Sequence, residues 1–348
     1  MKKLFLIFIS ALIVCGSISS CESGSTKYTE YSFEYFDTVT TVVGYEKSEE
    51  DFKARCSDIF ALLGEYHRLF TIYNMYEGFE NLCTVNELVD GEHRTVKVDP
   101  RVIEMLDYAK NMHALTEGKM NIAMGSVLSI WHDYRTEGMD DPSAARLPSL
   151  DELTEASKYT DIANIVTDEA ASTVTVIEPK ARLDVGAIAK GYAVEMAAKM
   201  LEEAGVSGYV INVGGNVRTV GSRADGTKWL VGIENPDESA TEPYIAYLEL
   251  AGESLVTSGS YQRYYVVDGK KYHHIIDPDT LYPSEKYTSV SVITEHSGRA
   301  DALSTALFVM DFEHGMELVE SIEKTEALWL FPDGTIKTSS GFDNYRQK

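Results

Sequence analysis

The spacing of apolar residues along this chain alternates between two periods. Ile59, Leu63, Tyr66 and Phe70 fall on one stripe, which predicts a helix over residues 50–70. Further helices are predicted over 99–109, 150–159, 187–204, 300–308 and 314–322. Runs rich in β-branched and aromatic residues predict a first strand at 35–45, two strands within 162–177, and others at 208–217, 229–233, 244–250, 254–257, 264–267, 272–276 and 288–293.

Polar segments separate these elements. Residues 71–86 are predicted as an irregular loop and 138–148 as a solvated excursion, while Asp268-Gly269 is a hairpin signal and Ser297 a candidate N-cap. We find no internal repeat, and no linker after residue 30. The pattern therefore predicts one α+β domain with a largely antiparallel sheet and inserted helices.

The first residues predict an exported protein. A basic start is followed by an apolar run over 4–14 that is too short to span a bilayer, and small residues precede Cys21. This resembles a bacterial lipoprotein signal, and the alternative is an ordinary secretory signal in which Cys21 is incidental. The first reading predicts a signal peptide over 1–20, lipidation of Cys21, a tether over 21–33 and a domain over 34–345. The protein would then be anchored to a membrane of the cell envelope, facing the extracytoplasmic side.

The charge of the chain limits its partners. A net charge of −24 argues against nucleic acid as a ligand, because phosphates would be repelled. An anionic ligand would need local neutralisation, so we expect a divalent cation at any such site. Cys56 and Cys83 remain after processing, and either one disulfide or two free buried thiols would fit the sequence.

Residues 183–193, with the sequence LDVGAIAKGYA, join the end of an apolar run to the start of a helix. Asp184 holds a carboxylate at the helix start, and Lys190 lies in the first turn, where a cation opposes the helix dipole. Ala187 and Gly191 are small and one turn apart. Together they suggest a phosphate-bearing ligand, whereas the simpler interpretation is a buried helix with a lysine that reaches solvent.

Other candidate residues carry weaker signals. Asp301 and Thr305 lie four residues apart on one predicted helix, where they can supply oxygen ligands to a hard cation or simply complement the helix. His274 ends a strand before a proline turn and can serve as a general base, or be one of a half-exposed histidine pair. Residues 257–259 are a possible phosphate cradle. We find no zinc spacing, P-loop or dinucleotide fingerprint.

In order and spacing, these segments resemble the ApbE family, the FAD:protein FMN transferases. The resemblance covers residues 35 to the C-terminus and rests on LDVGAIAKGYA at 183–193, NVGGN at 212–216, TSG at 257–259, HIIDP at 274–278 and DALSTA at 301–306. It implies a single T-fold-like domain that binds FAD and a divalent metal, Mg²⁺ or Ca²⁺. The family moves FMN from FAD to a Thr or Ser hydroxyl of a partner protein and releases AMP.

The resemblance also implies roles for individual residues. The metal ligands would be the Ala187 carbonyl, Asp301 and Thr305, and His274 would be the base that takes the proton of the acceptor hydroxyl. Residues in contact with FAD would be Phe36, Tyr73, Lys119, Met120, Asn121, Asp184, Lys190, Thr257, Ser258, Gly259 and Ile275. Three features depart from the family pattern: Leu281 stands where a glycine is usual, Asn121 where an aspartate is usual, and the segment around Trp131 lacks an expected glycine.

Three functions remain open at this point. The first is FMN transfer to exported or membrane-bound acceptors, such as the flavin-carrying subunits of Rnf or Nqr redox complexes. The second is a metal-dependent FAD pyrophosphatase that uses water and yields FMN and AMP. The third is a lipoprotein that binds flavin without catalysis, which the presence of His274, Asp301 and Thr305 disfavours.

Overall fold

The computed structural model of the protein describes residues 24–87, 94–237 and 239–348. The helices are α1 (Glu49–Phe70), α2 (Leu82–Glu87), α3 (Pro100–Leu115), α4 (Gly125–Asp140), α5 (Leu150–Ser157), α6 (Ala189–Glu203), α7 (Ser297–Val309) and α8 (Phe312–Ser321). The strands are β1 (Thr26–Ser32), β2 (Thr40–Glu46), β3 (Arg94–Lys97), β4 (Ile165–Asp168), β5 (Thr173–Val176), β6 (Tyr209–Val213), β7 (Asn216–Val220), β8 (Trp229–Glu234), β9 (Tyr244–Leu250), β10 (Ser254–Gly259), β11 (Tyr264–Val267), β12 (Lys270–His273), β13 (Ser289–Thr294), β14 (Glu326–Leu330) and β15 (Ile336–Thr338). The predicted signal peptide and Cys21 lie outside the described residues.

A central sheet organises the domain. Its eight strands lie in the order β1-β2-β6-β7-β10-β13-β14-β15, and neighbouring strands are antiparallel. Smaller sheets are formed by β3-β5-β4, by the β8-β9 hairpin and by the β11-β12 hairpin. The α+β fold with a largely antiparallel sheet, predicted from the sequence, is confirmed.

The two faces of the central sheet are both buried. Side chains alternate across a strand, so Val42 and Val256 face the layer of α1, α6 and α7, whereas Val43 and Leu255 face the β8-β9 hairpin. This explains why β6 and β7 are buried at every residue and lack an apolar–polar alternation. The helix-covered face carries the candidate site, because α6 and α7 pack against each other there.

The N-terminal segment corrects one prediction. Residues 26–32, which the sequence analysis assigns to a tether, form β1 and pair with β2 along their whole length. Tyr28 stacks on Phe52 of α1 with ring centroids 5.5 Å apart, so the segment is packed despite its polar composition. The strand predicted over 35–45 begins only at Thr40, since Phe36 and the residue after it adopt positive φ angles of 53° and 50°.

Helix boundaries show where local patterns were sufficient. The helices predicted over 50–70, 99–109, 150–159, 187–204 and 314–322 are all present within a few residues. Ser297 is not an N-cap: α7 begins there, and His296 caps it because its Nδ1 accepts the N–H groups of Gly298 and Arg299 at 3.1 and 3.3 Å. Helix α4 extends to Asp140, into the predicted solvated excursion.

The remaining findings concern the cysteines and the membrane. Cys56 and Cys83 are both free and buried, which settles the alternative left open by the sequence. Among the described residues, no helix is both long and apolar enough to cross a bilayer.

Candidate active site

The start of α6 lies at the centre of the candidate site. Asp184 follows a buried leucine, and its backbone N–H donates to the Ile122 carbonyl at 2.8 Å, which ties the 119–122 segment to this turn. The Asp184 carboxylate accepts the Gly186 N–H at 2.8 Å. Burial raises the pKa of Asp184, while Lys190, Arg135 and His132 act in the opposite direction. The carboxylate at the helix start is therefore held in place by backbone contacts and surrounded by cationic groups.

Close packing of α6 on α7 brings Asp301 to the same place. A Cβ at Gly191 would lie 2.5 Å from the Asp301 Cβ and would also collide with the Ser297 carbonyl, so only glycine fits there. The Asp301 side chain is almost fully buried, and its Oδ2 accepts the Gly191 N–H at 2.9 Å. The other oxygen, Oδ1, lies 3.7 Å from Lys190 Nζ. Two candidate residues that lie far apart in the sequence, Lys190 and Asp301, are thus neighbours in the structure.

Hydroxyl groups surround the next turn of α7. Ser258 Oγ lies 2.8 Å from Ser304 Oγ and 3.4 Å from Thr305 Oγ1, so β10 and α7 meet through these side chains. Together with Asp301, whose Oδ1 makes no hydrogen bond within the described ranges, the donor set consists of hard oxygens. Such a set fits Mg²⁺ or Ca²⁺, which are commonly held by one or two carboxylates together with carbonyl, water or phosphate oxygens. No group of three or more His, Cys, Asp or Glu capable of holding a metal occurs in the described part of the chain.

His274 is partly exposed and has a defined tautomer. Its Nδ1 lies 3.3 Å from the Arg263 carbonyl, and since a carbonyl only accepts, Nδ1 carries the proton and Nε2 does not. Desolvation, as the largest cause, and the charges of Arg263, Arg135 and Lys190 together lower the pKa of His274 to about 3. The imidazole is therefore neutral at pH 7 and can accept a proton at Nε2. Its neighbour His273 is buried and bonds the Ser284 carbonyl at 2.7 Å, which is a structural role.

Three basic residues of the site were missed by sequence reasoning. His132 and Arg135 lie one turn apart on α4, and Arg135 Nη2 is 3.0 Å from His132 Nδ1. The His132 ring packs on Tyr73 with centroids 5.1 Å apart. Arg263 precedes β11. The available signal was the i, i+3 spacing of two basic residues in an acidic chain, but only tertiary packing places them beside His274.

The other predicted FAD contacts differ in their exposure and in their hydrogen-bond partners. Lys119 forms an ion pair with Asp279 in the turn after His274, and Tyr73 is exposed at the site entrance. Met120 and Ile275 are buried. Asn121 uses its amide for two backbone contacts, to Ala123 and Thr160, both at 2.9 Å.

Strand geometry separates members of the 257–259 segment. Ser258 points toward α7, whereas Thr257 lies on the opposite side of the strand and bonds Ser291 at 2.8 Å. Gly259 is covered by the Tyr261 ring, which a Cβ would meet at 2.5 Å. The structure therefore brings Ser258, and not Thr257, to Asp301 and Thr305. Phe36 lies in the loop that contacts Gly214, and its backbone N–H donates to His67 Nδ1 at 3.1 Å.

The turn after His274 keeps a glycine-like conformation without a glycine. Leu281 has a φ angle of 62°, in the left-handed region where a side chain is strained. Its side chain is buried in a cluster with Trp131, whose Nε1 donates to the Leu281 carbonyl at 2.9 Å. Burial thus offsets the backbone strain, and Leu281 adopts a φ angle that glycine adopts easily.

Known proteins share the sequence pattern and the fold of this chain. A model of the ApbE family matches residues 36–329. The FAD:protein FMN transferase of Haemophilus influenzae is 27% identical over 98% of this chain and 95% of its own length, and that of Klebsiella pneumoniae is 31% identical over 77% of this chain and 84% of its own. The crystal structure of the ApbE protein of Thermotoga maritima matches with a TM-score of 0.80 and 27% identity, covering 93% of this chain and all of that one. The flavin transferase ApbE of Vibrio cholerae matches with a TM-score of 0.75 and 26% identity, covering 92% of this chain and 99% of that one.

Fold and similarity together define a flavin transferase, an enzyme whose substrate is FAD. The chain belongs to the ApbE family. Its activity is that of an FAD:protein FMN transferase, which confirms the predicted transfer of FMN from FAD to a protein.

Proposed function

We propose that this enzyme transfers FMN to a Thr or Ser hydroxyl of its acceptor, with His274 as the base. The hydroxyl oxygen attacks the phosphorus on the FMN side of the FAD diphosphate, and its proton passes to His274 Nε2. A new P–O bond forms to the acceptor, the phosphoanhydride bond breaks, and AMP leaves with the bridging oxygen. The product is a phosphodiester between FMN and the acceptor side chain.

The observation that carries this proposal is the state of His274. A neutral imidazole with a proton-free Nε2 can accept a proton, and a diphosphate bound beside it would raise its lowered pKa toward the operating pH, as general-base catalysis requires. The cations around it, Lys190, Arg135 and Arg263, suit a diphosphate ligand and would favour a negatively charged group beside the ring. The simpler alternative, a half-exposed histidine pair, fits less well, because His273 is buried against the Ser284 carbonyl whereas His274 bonds the Arg263 carbonyl at a more exposed position.

The remaining residues bind and orient FAD in this proposal. Asp301 Oδ1, the Thr305 hydroxyl and the Ala187 carbonyl would hold Mg²⁺ or Ca²⁺, which supplies charge neutralisation to the diphosphate. Lys190 contacts the pyrophosphate from the first turn of α6, and Tyr73 lies against the flavin. Phosphoryl transfer depends mainly on such positioning and neutralisation.

The product decides between transfer and its alternatives. The protein is incubated with FAD, Mg²⁺ and a purified acceptor domain, and flavin is followed by mass spectrometry with a parallel sample containing EDTA. We expect an acceptor heavier by the mass of FMN less water, AMP in equal amount, and neither in the EDTA sample. Free FMN without modified acceptor would replace the proposal with hydrolysis, and unchanged FAD would replace it with flavin carriage. Equal product formation in the EDTA sample would contradict the proposed requirement for a divalent metal.

The setting of the reaction is a separate proposal. The sequence over 1–21 supports an exported lipoprotein anchored through Cys21 and facing the extracytoplasmic side, where the flavin-carrying subunits of Rnf- or Nqr-type complexes are the expected acceptors. Mass spectrometry of the mature N-terminus tests it: a diacylglyceryl group on Cys21 is expected, and a mature chain that begins elsewhere would contradict it. A Cys21→Ala variant is expected to leave the membrane fraction.

A further inference from the structure

Arg135 and Arg263 stand apart from most arginines of the described chain. In a protein with a net charge of −24, neither forms an ion pair with any described carboxylate. Arg135 is partly buried and Arg263 is exposed. Burial lowers the pKa of Arg135 and the charge of Arg263 acts in the same direction, while Tyr73, Asp184 and Tyr265 act against them. Asp184 acts on Arg135 without forming an ion pair with it, so the two neighbouring guanidinium groups are only partly neutralised, and an anion bound between them would be favourable.

Helix packing fixes the position of this pair. Gly138, one turn after Arg135 on α4, lies against Tyr265 so closely that a Cβ would meet the ring at 2.8 Å. Tyr265 is two residues after Arg263, and its hydroxyl donates to the Arg146 carbonyl at 3.1 Å. The contact of α4 with β11 therefore holds the two guanidinium-bearing segments side by side.

The pair is also tied to the residues that the proposed function uses. Arg135 Nη2 donates to His132 Nδ1, and the His132 ring packs on Tyr73 at the site entrance. The backbone carbonyl of Arg263 orients His274 through its Nδ1. Both arginines act electrostatically on His274. An anion between them would thus lie beside the proposed base.

We infer that Arg135 and Arg263 form a guanidinium clamp for the phosphoryl group of FAD that is transferred. This inference rests on the proposed placement of the diphosphate beside His274. Guanidinium groups bind phosphate oxygens through paired, charge-assisted hydrogen bonds. The clamp neutralises the diphosphate from the α4–β11 side, while Lys190 and the cation that Asp301 would hold do so from the α6–α7 side. Arg135 and Arg263 would then contact the substrate directly, and His132 would position Arg135.

Binding of FAD to the full chain tests the clamp. Flavin fluorescence is titrated at fixed Mg²⁺ and several salt concentrations for wild type, Arg135→Gln, Arg135→Lys and Arg263→Gln. The matched control is Arg146→Gln, which removes the same charge from a guanidinium that already pairs with Glu137. We expect Arg135→Gln to weaken FAD binding about 10-fold or more and to make it less salt-dependent. Arg263→Gln, which keeps the carbonyl under His274, should weaken it by a smaller factor, and the control should match wild type.

The other outcomes separate the possible roles. Partial recovery of affinity in Arg135→Lys supports a charge contact. FAD affinity within about twofold of wild type in both Gln variants would overturn the clamp, as would a loss with unchanged salt dependence that Lys does not restore. An unchanged FAD affinity with a raised KM for the acceptor would assign the arginines to the acceptor instead, which also overturns the inference. Failure of the proposed function would show separately, as wild-type enzyme that binds FAD but leaves the acceptor unmodified.

Discussion

Arg218 on one side, and Arg135 and Arg263 on the other, have opposite surroundings in this enzyme. Arg218, on β7, is buried and forms ion pairs with Glu195 at 3.2 Å and Glu202 at 2.9 Å, and it also donates to backbone carbonyls. Arg135 and Arg263 have no such partner among the described carboxylates. Arg218 thus holds α6 against the sheet. Arg135 and Arg263 lie beside His274, where the substrate is expected to supply the missing anions.

The comparison shows how paired and unpaired charges divide the work. Buried charges with partners contribute to a specific fold, because removing one partner leaves the other uncompensated. Charges without partners contribute little to folding and are characteristic of a binding site. Asp301 shares features of both kinds of charge. Its Oδ2 accepts the Gly191 N–H, as in a structural contact, whereas its Oδ1 faces Lys190 Nζ without a hydrogen bond.

Removing the ion pairs of Arg218 should give the largest effect on stability. Arg218→Met leaves Glu195 buried with only the Ser297 N–H at 2.8 Å as a partner. We expect a loss of about 3–5 kcal/mol in the free energy of unfolding, measured by urea denaturation. The Glu195→Gln, Arg218→Met double variant should recover part of this loss. A single variant as stable as wild type would show that the ion pairs do not hold α6.

Changing Asp301 should affect catalysis rather than folding. Asp301→Asn keeps an acceptor for the Gly191 N–H but loses the charge, so transfer should fall about 100-fold or more while stability changes by about 1 kcal/mol or less. Rates of acceptor modification and urea unfolding measure the two effects. The exposed Asp343→Asn is the matched control. Activity near wild type in Asp301→Asn would remove this residue from the metal site.

The strained turn at Leu281 offers a test in which glycine should be better tolerated than alanine. Leu281→Ala loses the buried side chain but keeps the positive φ, so we expect a loss of about 2–3 kcal/mol. Leu281→Gly should lose about 1 kcal/mol less, because glycine relieves the strain. At the buried helical Leu153, the order should be reversed, with glycine worse than alanine. The same order at both positions would contradict the strained turn.

The smallest expected effect is the response of activity to pH. The groups that act on His274 are Arg263, Arg135, His273 and Lys190, all of which disfavour its protonation, and its pKa is about 3. A lowered pKa keeps the base proton-free at lower pH, so kcat/KM should not fall between about pH 8 and about pH 5 through this group. A fall in kcat/KM with an apparent pKa of about 6.5 would contradict the position of His274 among these cations.

Local sequence patterns were sufficient for some of the site and insufficient for the rest. The proximity of Asp301 and Thr305 could be predicted because both lie on one helix, and Lys190 could be singled out because a cation in the first turn of a helix is unusual. Arg135 could not, since its position depends on the contact between Gly138 and Tyr265, which are far apart in sequence.

The fold shows the same division. Helix and strand periods predicted the α+β class and most elements, whereas β1 was missed because its packing depends on pairing with β2. The N-cap of α7 was misassigned by one residue, because a histidine takes the role that serine usually has. Side-chain direction in β10 separates Thr257 from Ser258, and a segment-level resemblance does not resolve single residues.

The most direct test of the account is His274→Ala, measured for both FAD affinity and FMN transfer. Because the imidazole acts only on the acceptor proton, FAD affinity should stay within about threefold of wild type while the transfer rate falls about 100-fold or more. Transfer near the wild-type rate would contradict the assignment of His274 as the base and the reading of the charges around it.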